Sequence, residues 1–307
     1  IQLLTEISKV SASAHCPYIA NIDPIFFGKK SIDELNNISN LSEYLERPEY
    51  QHWNHFRETE QARYIGLTLP KFLLRLPYGD QNPVKGFLYQ ENVSGPDHYK
   101  YTWGAASFAF AGNLATAFKK HGWTVNIRGP ESGGRVDNLV LHQYDVGRGV
   151  EFKIPTEVLI SETKEMDLSN LGLIPLRYYK DSKHACFISA ISLSKPVIYD
   201  DKASTANSRV NSRLPYVFLA SRLGHYLKVI QRENIGGTKD RAALEQELNR
   251  WLGSLVTKMS NPSADLVASR PLKEGQVVVS EIPENPGFFK VSLHVMPHFQ
   301  VEGIDVK

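Results

Sequence analysis

The sequence has few cysteines, no long apolar run and almost no net charge. Two cysteines among 307 residues, Cys16 and Cys186, exclude a disulfide framework and a four-cysteine metal site. No apolar run reaches the roughly 18 residues that a membrane-spanning helix needs. Lys and Arg total 35 against 33 Asp and Glu, so the net charge is +2. A charge this close to balance gives no long-range field that would attract nucleic acid or an anionic membrane.

The common catalytic and nucleotide-binding motifs are absent as well. The chain contains no G-x-x-x-x-G-K-[ST], G-x-G-x-x-G, H-E-x-x-H or G-x-S-x-G sequence. One segment offers a binding site, because its arginines stand near glycines whose amides can approach an anion: Arg128, Arg135 and Arg148 with Gly129, Gly133 and Gly134. The same segment also fits a tight turn between strands. An α/β enzyme with an unrecognised anion-binding site therefore stays open as an alternative, and it predicts a deep pocket with converging titratable groups.

The composition is nevertheless that of a folded protein. Hydrophobic residues make up 42% and charged residues 22%, which supports a packed core. The length fits one large or two ordinary domains. The chain starts at Ile1, inside an apolar-periodic run, and stops at Lys307 in strand-like sequence. We therefore expect an internal piece of a longer protein and, since no signal peptide opens it, a cytosolic location.

The first two thirds of the chain predict a mixed α/β domain over residues 1–195. Helical periodicity marks 1–13 and 103–121, and a buried apolar segment covers 62–70. Alternating, strand-like runs follow over 124–128, 135–142, 151–159, 174–178 and 185–191. Residues 195–213 are polar and read as a linker. Mixed sheets flanked by helices are the expected architecture.

The remaining residues, 196–307, predict a second domain of two helices followed by strands. The helices cover 214–232 and 240–259, and the second places Leu248, Trp251, Leu252 and Leu255 in a core. Strands are expected over 276–282 and 288–296, on either side of a turn at 283–287. The phase of the apolar residues slips within 298–306, which indicates a bulge at Glu302 and Gly303.

Four sequence blocks together resemble a known family. They are SAHCPYIA at 13–20, ARYIGLTLPKFLLRLPYG at 62–79 with FRE at 56–58, WGAA at 103–106, and PHFQVEGIDV at 297–306. The chain resembles, over essentially its whole length, the large subunit of the type VI secretion contractile sheath. More distantly, the order of its elements is similar to that of the tail-sheath proteins of contractile phages.

The resemblance implies a contractile tail-sheath fold and a structural protein with no catalytic, cofactor-binding or metal-binding residue. It implies an obligate partner, the small sheath subunit, and polymerisation with further copies into a helical tubule around an inner tube. It also implies contact with a baseplate and with an AAA+ unfoldase that disassembles the spent sheath, through a segment expected outside this chain. The implied location is the bacterial cytosol, on a membrane-anchored baseplate, with neither nucleic-acid binding nor membrane insertion. A phage-like sheath made of one self-assembling polypeptide is the nearest alternative.

Two groups of residues are candidates for contacts within such an assembly. The strands near the C-terminus have the alternation that strand exchange between subunits requires, and the candidates there are Val277, Val279, Phe289, Val291, Leu293, Val295, Phe299 and Val301. On the 240–259 helix, Glu245, Glu247 and Arg250 are candidates for contact with the inner tube. An ordinary solvated helix face explains these three charges equally well.

Overall fold

The computed structural model describes residues 1–80, 82–93, 97–145, 148–180, 182–237, 239–259, 261–284 and 288–298. The chain divides into two compact units. The first comprises Ile1–Thr116 and Ile127–Val217, and the second comprises Ala117–Asn126 and Phe218–Lys307. The domain boundary that the sequence indicates, between residues 195 and 196, stays a prediction.

Helices and strands alternate along much of the chain, which confirms the predicted mixed α/β class. The helices are α1 (Gln2–Ala14), α2 (Leu41–Leu45), α3 (Gln51–Arg57), α4 (Ala106–His121), α5 (Glu162–Asn170), α6 (Lys202–Asn211), α7 (Leu214–Glu233), α8 (Arg241–Gly253) and α9 (Ala264–Ser269). The strands are β1 (Tyr18–Asn21), β2 (Ile65–Leu69), β3 (Phe72–Leu73), β4 (Trp103–Gly104), β5 (Arg135–Val136), β6 (Gln143–Asp145), β7 (Val150–Phe152), β8 (Leu173–Tyr178), β9 (Ala185–Phe187), β10 (Leu272–Glu281) and β11 (Phe289–Pro297).

A five-stranded mixed sheet forms the centre of the first unit. Its order is β1-β2-β8-β9-β5; β1, β2 and β8 are parallel, and β9 is antiparallel to both β8 and β5. Every residue of β2 is buried. A strand buried on both faces has a continuous apolar sequence, which is why the 62–70 segment shows no alternation. Phe27, Trp53 and Leu168 are among the side chains that complete this core.

The second unit packs helices against a β-hairpin, the predicted helix-helix-strand arrangement. Asp240 caps α8, since its side chain accepts a hydrogen bond from the Ala243 amide at 2.8 Å. Apolar side chains of α7, α8 and the hairpin form one buried cluster that includes Leu223, Leu248 and Leu252. Strands β10 and β11 are antiparallel, with Val277 opposite Leu293 and Val279 opposite Val291.

Two predicted helices are shorter than their periodicity indicates. The helix expected over 103–121 begins at Ala106, because Trp103 and Gly104 pair with β3 instead. The helix expected over 240–259 ends at Gly253. Beyond it the chain turns back, and the Thr257 amide donates to the Leu272 carbonyl at 2.9 Å. In both cases hydrogen bonds to a distant strand outweigh local helical preference.

Several predicted strands, and the predicted linker, are wrong in extent or kind. The described structure has no strand over 124–128, and the runs at 135–142, 151–159 and 185–191 keep only β5, part of β7 and β9. Alternation alone does not supply the neighbouring strand that a ladder needs. The expected linker over 195–213 contains α6, which Asp201 caps through the Ser204 amide at 2.9 Å. Residues 285–287 of the predicted turn and the predicted bulge at Glu302 and Gly303 lie outside the described residues.

Candidate assembly surfaces

The C-terminal hairpin separates an apolar face from a polar face. Val277 and Val279 are almost fully buried against the helices of the second unit. On β11 the predicted alternation is present, because one set of side chains is partly buried against the same core: Phe289, Val291, Leu293 and Val295. Between them Lys290 and His294 are exposed. The hairpin is therefore held by one face and leaves the other to solvent.

The outer edge of β10 is covered by side chains of α8. The Asn249 side chain accepts from the Val277 amide at 2.9 Å and donates to the Val277 carbonyl at 2.8 Å. Glu245 Oε2 accepts from the Val279 amide at 2.9 Å, and Arg241 Nη1 donates to the Val279 carbonyl at 3.2 Å. Both valines therefore direct their backbone polar groups away from β11.

The outer edge of β11 has no such cover among the described residues. In an antiparallel ladder the pairs alternate between hydrogen-bonded and non-hydrogen-bonded. Since Val277 and Val279 face α8, their partners Leu293 and Val291 direct their amides and carbonyls away from β10. Within the described ranges β11 pairs with β10 alone. This open edge is the feature that strand addition requires. Phe299 and Val301, the remaining strand-exchange candidates, lie outside the described residues.

The three candidates for tube contact do not share one helix face. Glu247 and Arg250 are three residues apart on α8 and lie on the same side. The Glu247 carboxylate accepts from Lys239 Nζ at 2.8 Å and from Asn234 Nδ2 at 3.1 Å, and the hydrogen bond from Lys239 is the main reason why its pKa is lowered. Arg250 is exposed, whereas Glu245 is turned to β10. Contact of these residues with an inner tube stays a prediction.

Sequence reasoning missed Arg241 and Asn249. Their signal was present, because Arg241, Glu245 and Asn249 follow one another at intervals of four and so lie along one side of a helix. The pattern of polar residues alone did not indicate that this side faces a strand. The apolar candidates, in contrast, were visible because burial follows the period-2 alternation of the strands.

The glycine-rich segment at 128–134 forms a tight turn rather than an anion cradle. The Gly129 amide donates to the Phe187 carbonyl at 2.8 Å, and the Gly134 amide donates to the Gly129 carbonyl at 2.9 Å. A Cβ on Gly134 would lie 2.3 Å from the Phe187 oxygen, so only glycine fits. Arg128 is buried, and Arg135 is paired with Asp137 at 2.5 Å. Two of the three glycine amides that the enzyme alternative names, those of Gly129 and Gly134, are therefore engaged in backbone hydrogen bonds.

Two open cavities of the described chain are not lined by Arg128, Arg135 or Arg148. One open cavity of about 1400 Å³ is lined by residues from 253–262, 273–276 and 294–298. Another of about 600 Å³ is lined by residues from 58–63 and 194–212. Burial raises the pKa of Cys186 to about 12 and lowers that of Arg57 to about 10, and neither residue lines either cavity.

In the part of the chain that the structure describes, no three or more His, Cys, Asp or Glu side chains are arranged to hold a metal ion. No helix among these residues has the length and apolar character needed to cross a bilayer.

Solved structures of contractile injection systems are similar to this chain at low sequence identity. The chain matches the anti-feeding prophage baseplate structure with 12% identity and a TM-score of 0.48, over 80% of this chain and 54% of that one. It matches the contracted PVC sheath complex, an extracellular contractile injection system, with 12% identity and a TM-score of 0.45, over 81% of this chain and 57% of that one.

A known sequence matches the chain at higher identity than these structures do, and two family models together match most of its length. The chain is 41% identical, over an alignment of 309 residues, to the type VI secretion system sheath protein TssC1 of Pseudomonas aeruginosa. The match covers 100% of this chain and 62% of that protein, so the chain spans about three fifths of its relative. The family model for the EvpB/VC_A0108 tail sheath N-terminal domain matches residues 1–194, and that for the tail sheath gpW/gp25-like domain matches residues 203–307. The chain therefore belongs to the EvpB/VC_A0108 tail sheath family, as the sequence blocks indicated.

Proposed function

We propose that this chain is part of a structural subunit of a type VI secretion contractile sheath. The subunit pairs with a small sheath subunit, polymerises with further copies as a helical tubule around an inner tube, and contracts to drive the tube out of the cell. Membership of the tail sheath family supports the proposal. The open edge of β11 supports the part of it that concerns contact between subunits. A tubule requires a heterologous contact that repeats without closing, and an unpaired strand edge provides one.

The remaining partners follow from the same proposal. The sheath is assembled in the bacterial cytosol on a membrane-anchored baseplate, and an AAA+ unfoldase disassembles it after contraction. Glu247 and Arg250 are the residues proposed to face the inner tube, whereas Glu245, the third candidate, is bonded to the Val279 amide of β10. The subunit works without catalysis, cofactor or nucleic acid, because its contribution to the stroke is the change in packing between subunits.

The strand-exchange site is proposed to be the outer edge of β11. An incoming extended segment would pair with the outward amides and carbonyls of Val291, Leu293 and their neighbours on β11. Backbone hydrogen bonds then supply affinity, and they satisfy an edge that would otherwise promote aggregation. Because such a link joins whole strands, it can persist while the bodies on either side rotate during contraction.

Negative-stain electron microscopy of the full-length protein tests the proposal. We expect hollow tubules when the protein is co-expressed with its small subunit, and none when it is expressed alone. Tubules from the chain alone would indicate a phage-like, single-component sheath. Soluble particles in both cases would contradict the sheath function.

A pair of variants in the same experiment locates the strand-exchange edge. Val291→Pro removes the outward amide without removing a hydrogen bond to β10, so we expect the co-expressed protein to lose its tubules. Val291→Ala keeps that amide and should retain them. Far-UV circular dichroism checks that both variants fold. Tubules of normal appearance from folded Val291→Pro would contradict strand addition at β11.

A further inference from the structure

The two outer edges of the β10–β11 hairpin differ in the hydrogen-bond partners that the rest of the second unit gives them. At β11 the outward backbone groups have no partner strand within the described chain. At β10 they are bonded to side chains of α8. The difference bears on which side of the hairpin an incoming strand can occupy.

The side chain of Asn249 reproduces the hydrogen bonds of a neighbouring peptide group. Its oxygen accepts from the Val277 amide at 2.9 Å, and its nitrogen donates to the Val277 carbonyl at 2.8 Å. A paired strand would offer the same acceptor and donor to this residue. A carboxamide is suited to this because it carries both functions in one plane.

Two charged side chains supply the acceptor and the donor for Val279, the next residue of β10 whose backbone groups point away from β11. Glu245 accepts from the Val279 amide at 2.9 Å, and Arg241 donates to the Val279 carbonyl at 3.2 Å. Arg241 Nη1 also lies 3.5 Å from Glu245 Oε2, so this ion pair holds both side chains near the strand. Acceptor and donor are thus divided between two residues where Asn249 supplies both.

The side chains of α8 reach the backbone groups of β10 because the residue spacing of a helix is close to that of a strand lying beside it. Four helical residues advance about 6 Å, and two strand residues advance about 6.8 Å. Residues 249 and 245 therefore meet alternate residues of β10, Val277 and Val279. Arg241, one turn before Glu245, reaches the carbonyl of the same Val279. The helix can approach closely at Gly275, where a Cβ would lie 2.8 Å from Leu252 Cδ2. Only a residue without a side chain leaves room for Leu252.

Burial makes these hydrogen bonds necessary. Val277 is 0% exposed and Val279 is 1% exposed. A buried amide or carbonyl without a partner costs about 1–3 kcal/mol. A free β10 edge would therefore gain from any strand that reached it, including the same edge of a second hairpin.

We propose that Arg241, Glu245 and Asn249 form an edge guard that determines where strand exchange occurs. The guard occupies the hydrogen-bonding positions of β10, so that an extended segment of another sheath polypeptide adds at β11. This inference rests on the strand exchange proposed above. Because one edge is closed, each subunit accepts a strand on one side only, which gives the contact a direction and disfavours pairing of two β10 edges.

Hydrogen exchange of the full-length protein, read at individual amides, tests the guard itself. Asn249→Leu keeps the helix and the approximate size of the side chain, and we expect exchange at Val277 to rise roughly tenfold, the consequence of losing one hydrogen bond. Glu245→Leu should have the same effect at Val279. Glu245→Gln retains an acceptor and should restore protection. Gln246→Ala, at an exposed position of the same helix, is the matched control. Unchanged exchange at both valines in the leucine variants would overturn the guard.

Assembly with the small subunit tests the consequence for strand exchange. We expect amides of Val291 and Leu293 to gain protection in wild-type tubules, while those of Val277 and Val279 keep the protection they have in the free subunit. The Asn249→Leu, Glu245→Leu double variant should form irregular or laterally associated particles. Uniform tubules from this variant would overturn the role in edge selection. If wild-type protein forms no tubules, the proposed function fails, while the exchange pattern of the free subunit still decides whether the guard exists.

Discussion

The sheet of the first unit and the hairpin of the second are both held by backbone pairing of strands, but they differ in whether all strand edges find partners. In the first unit β2 lies between two other strands and is buried along its whole length. In the second, the hairpin has two strands, one buried face and one covered edge. A central strand has all its partners within the chain, whereas the hairpin is left with backbone groups that another chain can use. The first arrangement gives a stable body, and the second leaves an open strand edge, which is where we propose that another subunit adds a strand.

The largest expected effect comes from removing a side chain from the core around the sheet. Phe187 of β9 is fully buried, and its ring lies edge-on to Phe110 with centroids 5.2 Å apart. Phe187→Ala should lower the free energy of unfolding by about 3–5 kcal/mol, because the cavity cannot close completely. Phe152→Ala, at an exposed strand position, is the control and should change it by less than about 0.5 kcal/mol. Urea denaturation measures both, and equal effects would contradict the assigned core.

A smaller effect separates the two faces of the hairpin. Val277 is buried, whereas its neighbour Val278 is 38% exposed on the opposite face. We expect Val277→Ala to cost about 2 kcal/mol and Val278→Ala less than about 0.5 kcal/mol, because only the first loses packing. Thermal denaturation followed by circular dichroism measures the difference. If Val278→Ala were the more damaging substitution, the register of β10 would be wrong by one residue.

The smallest effect concerns a charge pair outside both sheets. Arg75 donates to both carboxylate oxygens of Glu91, at 2.7 and 2.9 Å, and this hydrogen bonding is the main reason why the pKa of Glu91 is lowered from 4.5 to about 2. The folded-state pKa is depressed, so the stabilisation is present above pH 4.5 and is lost as the pH falls toward 2. The pair is partly solvated, so we expect about 1 kcal/mol.

Urea titrations between pH 7 and pH 3 compare wild type with Glu91→Gln. The wild type should be the more stable at neutral pH, and the two curves should converge as the pH falls. Glu131→Gln, at an exposed position, controls for the loss of a carboxylate. A constant difference between wild type and Glu91→Gln across this range would show that the Arg75 pairing is not its source.

The sequence predicted the elements whose signal is local. The helix α7 and the strands β2, β8, β10 and β11 were predicted, because an apolar period that continues for several turns or pleats reports burial directly. The four family blocks also led to the correct family. The extents of β5 and β9 were not predicted correctly, since these two strands pair only because distant segments meet. Helix α6 was missed because its residues are polar, and Asp201 at its cap was the available signal.

The sequence by itself determined the class of fold, the family, and which side chains of the hairpin are apolar, because composition and periodicity are properties of neighbours along the chain. Only the tertiary structure decided which strand edge is closed. Asn249 and Val277 are 28 residues apart, and no local pattern shows that one will satisfy the backbone of the other. Hydrogen-bond partners of this kind are fixed by where the elements pack, so the open edge of β11 follows from the fold rather than from its own sequence.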